Sequence, residues 1–269
     1  MTREGPRSSR LKSFDRVADV YDETRGLPPE VERQIADGIS AALRQVAPRP
    51  RLLEVGVGTG RIAVPLAAAG VRVTGIDIAP KMLARLRAKR ADIDVMLAEA
   101  SRPPLRPASF DAALFVHILH LVPDPEATVR ATLPLVRPAG VLIEAGDTRS
   151  RGIREEGDDI IAQVVRELSG VDLSRDAPHL RGSAAFEQVL REAGARVERI
   201  ELATWTGRTR ARRMLERLAR RDYSSAWQIP EEALPAVVER ATPLLGELYG
   251  GLDREVEFER AFGATIAWL

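Results

Sequence analysis

Five short apolar runs punctuate residues 51–147, and the stretches between them read as helices or loops. The runs are "RLLEV" (51–55), "VRVTGID" (71–77), "IDVMLA" (93–98), "FDAALFV" (110–116) and "GVLIEAGD" (140–147). Helical stretches fall at 60–69, at 80–90 with Pro80 in the first turn, and at 124–137 with Pro134 as a kink. Gly70 follows the first of these as a helix-ending residue. Strands that alternate with helices share one sheet only through crossovers, and the product is a parallel sheet covered on both faces. Two further strand-like runs lie at 196–207 and at the end of the chain, where Val256, Phe258 and Phe262 alternate. The expectation is therefore an α/β fold of about seven strands.

The first strand leads into three glycines at every second position, Gly56, Gly58 and Gly60, with Glu54 just before them. Glycine lacks Cβ, so it reaches φ > 0 and lets another molecule lie directly on the main chain. A strand-to-helix turn is also where nucleotide-like ligands bind in such sheets. Two familiar occupants do not fit. The dinucleotide fingerprint needs a glycine three positions after Gly58, and that position is Arg61. The phosphate loop needs Gly-Lys-Ser/Thr, which is absent.

The pattern acid-x-Gly-x-Gly-x-Gly, from Glu54 to Gly60, resembles the first motif of the class I S-adenosylmethionine-dependent methyltransferases. The resemblance runs on in order over residues 14–148. "VTGIDIAPKML" is similar to the family's second motif. "LAEASRPPLRPASFDAALFVHILHLVPD" is similar to its third and fourth, and "PLVRPAGVLIEAG" to the lead into strand five. The resemblance implies a Rossmann-like, seven-stranded, mostly parallel sheet with helices on both faces and an antiparallel last strand. It implies S-adenosylmethionine as cofactor and a small-molecule acceptor.

It also implies roles for individual residues. Asp77 ends strand two and holds the ribose hydroxyls. Glu99 lies beside the adenine amino group, and Ile78, Met82 and Ala100 form apolar walls. Glu54 and the glycine turn take the amino-acid end of the cofactor. Tyr21 and Arg25, in "YDETR", close over that end. His117 borders the cofactor, and His120 is a candidate base near the acceptor. Apart from the resemblance, Asp147 is a second candidate, because it stands at the carboxyl end of strand five, where open sheets bind substrates; the alternative for it is a turn cap.

The expected organisation is a helical N-terminal cap at 1–47, with residues 1–12 a frayed tail. The cofactor-binding core takes 48–149, 183–207 and 253–269. Helical insertions at 150–182 and 208–252 form a lid over the substrate. Composition removes several other chemistries. The chain has no cysteine, so disulfides and thiolate catalysis are excluded, and three histidines leave little for a zinc site. Lys+Arg number 40 against 39 Asp+Glu, a balance that draws no polyanion to the protein as a whole.

One local feature runs against that balance. "RTRARRMLERLARR" (208–221) carries seven arginines, and Ala211, Met214, Leu215 and Leu218 fall on its other face. Alternatives to the small-molecule reading are thus a nucleic-acid methyltransferase that clamps phosphates with this helix, or a cofactor-binding module without activity. A base-methylating "NPPY" tetrad is missing after strand four, where "VHIL" stands. The expectation is no nucleic-acid or membrane partner. With no signal-like apolar stretch in residues 1–14, a cytoplasmic location is expected.

Overall fold

A computed structural model describes residues 13–173, 178–223 and 225–269. The tail expected at 1–12 lies outside the described residues, as do 174–177 of the first expected lid segment. The chain runs α1 (Tyr21–Arg25), α2 (Pro29–Val46), β1 (Arg51–Val55), α3 (Ala63–Ala68), β2 (Arg72–Asp77), α4 (Pro80–Lys89), β3 (Asp94–Leu97) and β4 (Phe110–Val116). It continues α5 (Pro125–Thr132), β5 (Val136–Arg151), α6 (Ile153–Ser169), α7 (Pro178–Glu192), β6 (Arg196–Thr209), α8 (Ala211–Ala219), α9 (Leu234–Tyr249) and β7 (Val256–Trp268).

The seven strands form one sheet in the order β3-β2-β1-β4-β5-β7-β6. β1 lies parallel to β2 on one side (Leu53↔Thr74) and to β4 on the other (Leu53↔Ala113). β7 inserts antiparallel between β5 and β6, so the expected architecture is the one found. The chain winds outward from β1 to β3, then returns to place β4 on the far side of β1. That reversal opens a crevice at the carboxyl ends of β1 and β4, the place where open α/β sheets bind ligands.

Several boundaries differ from those read in the sequence, each for a local reason. α3 begins at Ala63 instead of Gly60. Gly60 sits at φ +81°, outside helical space, and belongs to the turn. The end of α3 is as expected: Gly70, at φ +89°, donates to the Ala67 carbonyl and Val71 to that of Leu66, the paired bonds of a Schellman cap. α5 stops at Thr132 instead of 137, because Pro134 has no N–H to give and crowds the preceding turn. β5 is longer than expected, and Arg208 and Thr209 end β6 instead of opening α8.

The chain divides into two compact units. Of the described residues, one comprises 13–146, 178–200 and 264–269; the other comprises 147–173, 201–223 and 225–263. In the first, β1 is buried on both faces, and Leu52, Leu53 and Val55 are wholly inaccessible. Phe115 and Phe186 meet edge-on in the same core, which Leu142, Val189 and Leu190 extend. At the amino ends of the strands Asp111 accepts hydrogen bonds from the Arg51 backbone and side chain and from Arg137. Burial opposes its charge, but these donors win and hold its pKa down to about 2.

The second unit has its own core. It joins Ile161, Val164 and Val165 of α6, Met214, Leu215 and Leu218 of α8, and Val237, Leu245 and Tyr249 of α9. Tyr249 is fully buried and its hydroxyl donates to the Met214 sulfur at 2.9 Å. No helix among the described residues is long and apolar enough to cross a membrane.

Candidate functional site

The crevice is built on the turn from β1 into α3. Gly56, Gly58 and Gly60 all take left-handed φ values, +75°, +55° and +81°. At the outer two, space as well as conformation demands glycine. A Cβ on Gly56 would meet Ile118 at 2.7 Å, and one on Gly60 would meet Leu86 Cδ1 at 2.3 Å. Gly58 differs: its Cβ would touch only Met82 Cε, at an ordinary 3.4 Å. Gly58 is therefore the glycine whose bare side faces open space.

Glu54 is the polar residue of an otherwise apolar buried strand end. Only 2% of it is exposed, and its Oε2 has no hydrogen-bond partner among the described residues. Burial raises its pKa to about 8; Arg61 pulls it down, and Asp77 pushes it further up. A buried carboxyl with an idle oxygen is costly unless a cationic or hydrogen-donating partner completes it.

Asp77 lies across the turn. Its two oxygens accept from the backbone N–H of Gly58 (2.9 Å) and of Ala79 (2.8 Å). Burial raises its pKa, and the N–H groups of Ala79, Gly58 and Ile78 counter that. The Asp77 carbonyl accepts from Ala98, which ties the end of β2 to the end of β3. Beyond β3, Glu99 is exposed and accepts from Ser101 Oγ at 2.6 Å. Ala100 packs half-buried against the core, and Ile78 is half-buried beside Asp77.

The N-terminal segment is fastened to this crevice. Tyr21 and Phe14 meet edge-on and pack with Ala18 against Ala79 and Met82. The polar fastening falls on residues that sequence reasoning passes over. Asp22 accepts from Thr59 Oγ1 at 2.6 Å, inside the glycine turn, and pairs with Lys89 at 2.8 Å. Arg25, singled out for its guanidinium, offers its carbonyl to Arg61 at 2.9 Å. A signal exists, since Asp22 lies within the quoted "YDETR", but its partners are 37 and 67 positions away.

Asp22→Asn is expected to loosen this clamp. The half-buried pair gives up about 1 kcal/mol. Cofactor affinity should fall by about fivefold, and protease cleavage before α2 should quicken. Calorimetry and limited proteolysis read both effects; unchanged values would show that the segment is not coupled to the crevice.

The loop after β4 completes the site. His117 takes φ +52°, a left-handed conformation uncommon for a residue with a side chain. Its N–H donates to the Ala145 carbonyl at 3.3 Å, and its ring meets that of His120 edge-on, centroids 6.5 Å apart. The next residue, Ile118, is the one that covers Gly56. The structure thus gathers Tyr21, Glu54, the three glycines, Asp77 and Met82 around one turn and brings the His117 loop against it. Asp147 belongs to the second unit, where Arg260 takes its carboxylate at 3.0 Å.

The arginine-rich stretch is engaged within its own unit. Arg208, Arg210 and Arg212 pair with Glu257, Glu255 and Asp253, Arg221 donates to three carbonyls, and Arg217 stacks on Tyr223. Five of the seven cations in 208–221 are so held.

Residues 53–143 match a family described as a methyltransferase domain. A ubiquinone biosynthesis O-methyltransferase of Xanthomonas campestris is 38% identical over 106 residues, 38% of this chain and 44% of that one. A demethylmenaquinone methyltransferase of Renibacterium salmoninarum is 32% identical over 137 residues, 49% and 56% of the two chains. The chain spans about half the length of the curated relatives it matches. Among solved structures, a protein of Anaeromyxobacter dehalogenans described as a type II methyltransferase superposes with TM-score 0.58 at 18% identity. That superposition covers 90% of this chain and 96% of the other, and it shows a shared fold.

Proposed function

We propose, from the match of residues 53–143 to a methyltransferase domain, that the protein is a class I S-adenosylmethionine-dependent methyltransferase and transfers a methyl group to a small-molecule acceptor. One observation carries the reading: the idle, buried Glu54 oxygen beside three left-handed glycines. That donor set fits a ligand with an ammonium group and a flat body that lies on main chain. Bound there, S-adenosylmethionine supplies a methyl group on a sulfonium, which departs as a neutral sulfide when a nucleophile attacks in line.

The chain's own residues do the rest. Glu54 receives the ammonium, and Asp77, beside its bonds from Gly58 and Ala79, accepts from the ribose hydroxyls with its remaining lone pairs. Glu99, Ala100 and Ile78 hold the adenine, while Tyr21 and Arg25 close the amino-acid end. No charge is created in the transfer, so alignment and exclusion of water are the main task, worth about 7–11 kcal/mol. Of the two candidate bases we retain His120, since Asp147 is tied to Arg260. His120 accepts the acceptor's proton, and His117 borders the methyl-bearing end of the cofactor.

We assign acceptor choice to the helical segments 150–182 and 208–252. The relatives named for ubiquinone and demethylmenaquinone methylation support an apolar, aromatic acceptor with an ionisable hydroxyl. A reducing compartment such as the cytoplasm suits a chain without cysteine.

The test is calorimetry with S-adenosylmethionine and its demethylated product, followed by methyl-transfer assays over phenolic and enolic acceptors. His120→Ala should lower kcat by about 100-fold or more with cofactor affinity unchanged. No binding of either nucleoside at millimolar concentration would end the proposal.

A further inference from the structure

Gly146 stands in β5, two residues beyond Glu144 on the same face of the strand. It does not adopt a positive φ, so its backbone would accept any residue. The space beside it would not. A Cβ at 146 would lie 3.0 Å from Cε1 and 3.1 Å from Nδ1 of His117. The imidazole rests on the strand where a side chain would otherwise stand.

That ring has little freedom to retreat. Its own backbone is left-handed and hydrogen-bonded to Ala145, the residue before Gly146. His120 meets it edge-on, with interplanar angle 83°. The loop that carries both rings is held from below as well: a Cβ on Gly182 of α7 would sit 2.9 Å from Leu119 Cβ and 3.2 Å from the His120 nitrogen. A left-handed histidine is a strained choice, and such strain persists only where the surroundings over-determine it.

We infer that Gly146 is a positioning residue: it leaves room for the His117 imidazole, which in turn sets His120 at the methyl-transfer end of the crevice. The inference rests on the methyltransferase reading above. It predicts that one added methyl group displaces the His117 ring by a few tenths of an ångström and misaligns transfer.

The experiment compares wild type with Gly146→Ala, His117→Asn and the double variant. The protein has three histidines, so the imidazole resonances of isotope-labelled protein separate readily, and His117→Asn assigns one of them. In Gly146→Ala the His117 resonances shift, because the added methyl group crowds the ring at Cε1 and Nδ1. Turnover falls about tenfold, while the KM for cofactor is unchanged.

In the His117→Asn background the same alanine costs less than about twofold, because the ring it displaced is gone. A tenfold loss that persists there would overturn the inference. So would unmoved His117 resonances in a folded Gly146→Ala protein. The resonance arm needs no turnover, so it tests the Gly146–His117 contact separately from the methyltransferase reading, and the turnover arm tests the positioning role. Should Gly146→Ala melt early, His117→Ser in the same chain makes room for the methyl and restores the melting temperature; no restoration counts against the contact.

Discussion

Valine at position 58 is expected to abolish cofactor binding while the fold survives. The Gly58 Cβ would find only Met82 Cε, at 3.4 Å, so the new side chain stands on the open face of the turn. It fills the space that a ligand lying on the main chain must use. The left-handed backbone at φ +55° adds strain of about 1–3 kcal/mol, a tolerable loss for a domain of this size.

Affinity should drop at least about 100-fold, or 2.7 kcal/mol. Gly60→Ala is the informative contrast. Its Cβ would overlap Leu86 Cδ1 at 2.3 Å and crowd Val64 at 3.1 Å, inside the core. Overpacking there costs about 1–3 kcal/mol in addition to the backbone strain. The two variants should therefore separate: position 58 loses binding with the smaller fall in melting temperature, and position 60 loses more stability, since it adds overpacking to the same backbone strain. Gly58→Val that binds S-adenosylmethionine within tenfold of wild type would mean that nothing lies on this main chain.

The contrast also marks where sequence reading succeeds. Spacing alone shows that 56, 58 and 60 form one strand-to-helix turn, because glycine's freedom is a local property. It does not show that Gly60 is a packing glycine and Gly58 a ligand-facing one. That distinction depends on Leu86 and Met82, residues of α4 more than twenty positions away. The same limit hides the Asp22–Thr59–Lys89 fastening and the place of His117 against Gly146.

Strand order is legible because alternating strands and helices admit few arrangements. α3 and α5 read too long because periodicity continues through residues whose backbone cannot. Gly60 is left-handed, and Pro134 lacks an N–H. Glu54 is readable as an acid next to the turn, but its burial is not. An acid in an apolar strand could equally be a surface residue, and only the sheet's two covered faces decide it.

Glu54 supplies the second large effect, through its proton. Its ordinary pKa of 4.5 rises to about 8 in the folded protein. A raised acid stabilises the fold fully only below its unfolded pKa, and that contribution is lost as pH climbs from 4.5 to 8. Glu54→Gln should therefore melt above wild type at pH 8 and higher, by an amount worth a few kcal/mol, since each tenfold change in proton affinity is worth about 1.4 kcal/mol. It should lose that advantage near pH 4. The ligand acts in the opposite sense. A bound ammonium favours the carboxylate, so at pH 7 cofactor binding expels about one proton per site. Calorimetry in buffers of different ionisation enthalpy reads that proton directly. Wild-type affinity should rise by up to about tenfold per pH unit between 6 and 7.5, whereas Glu54→Gln should bind at least about tenfold more weakly at pH 7.5 with no pH slope and no proton released. Equal affinities and buffer-independent heats in the two proteins would place the ammonium somewhere other than on Glu54.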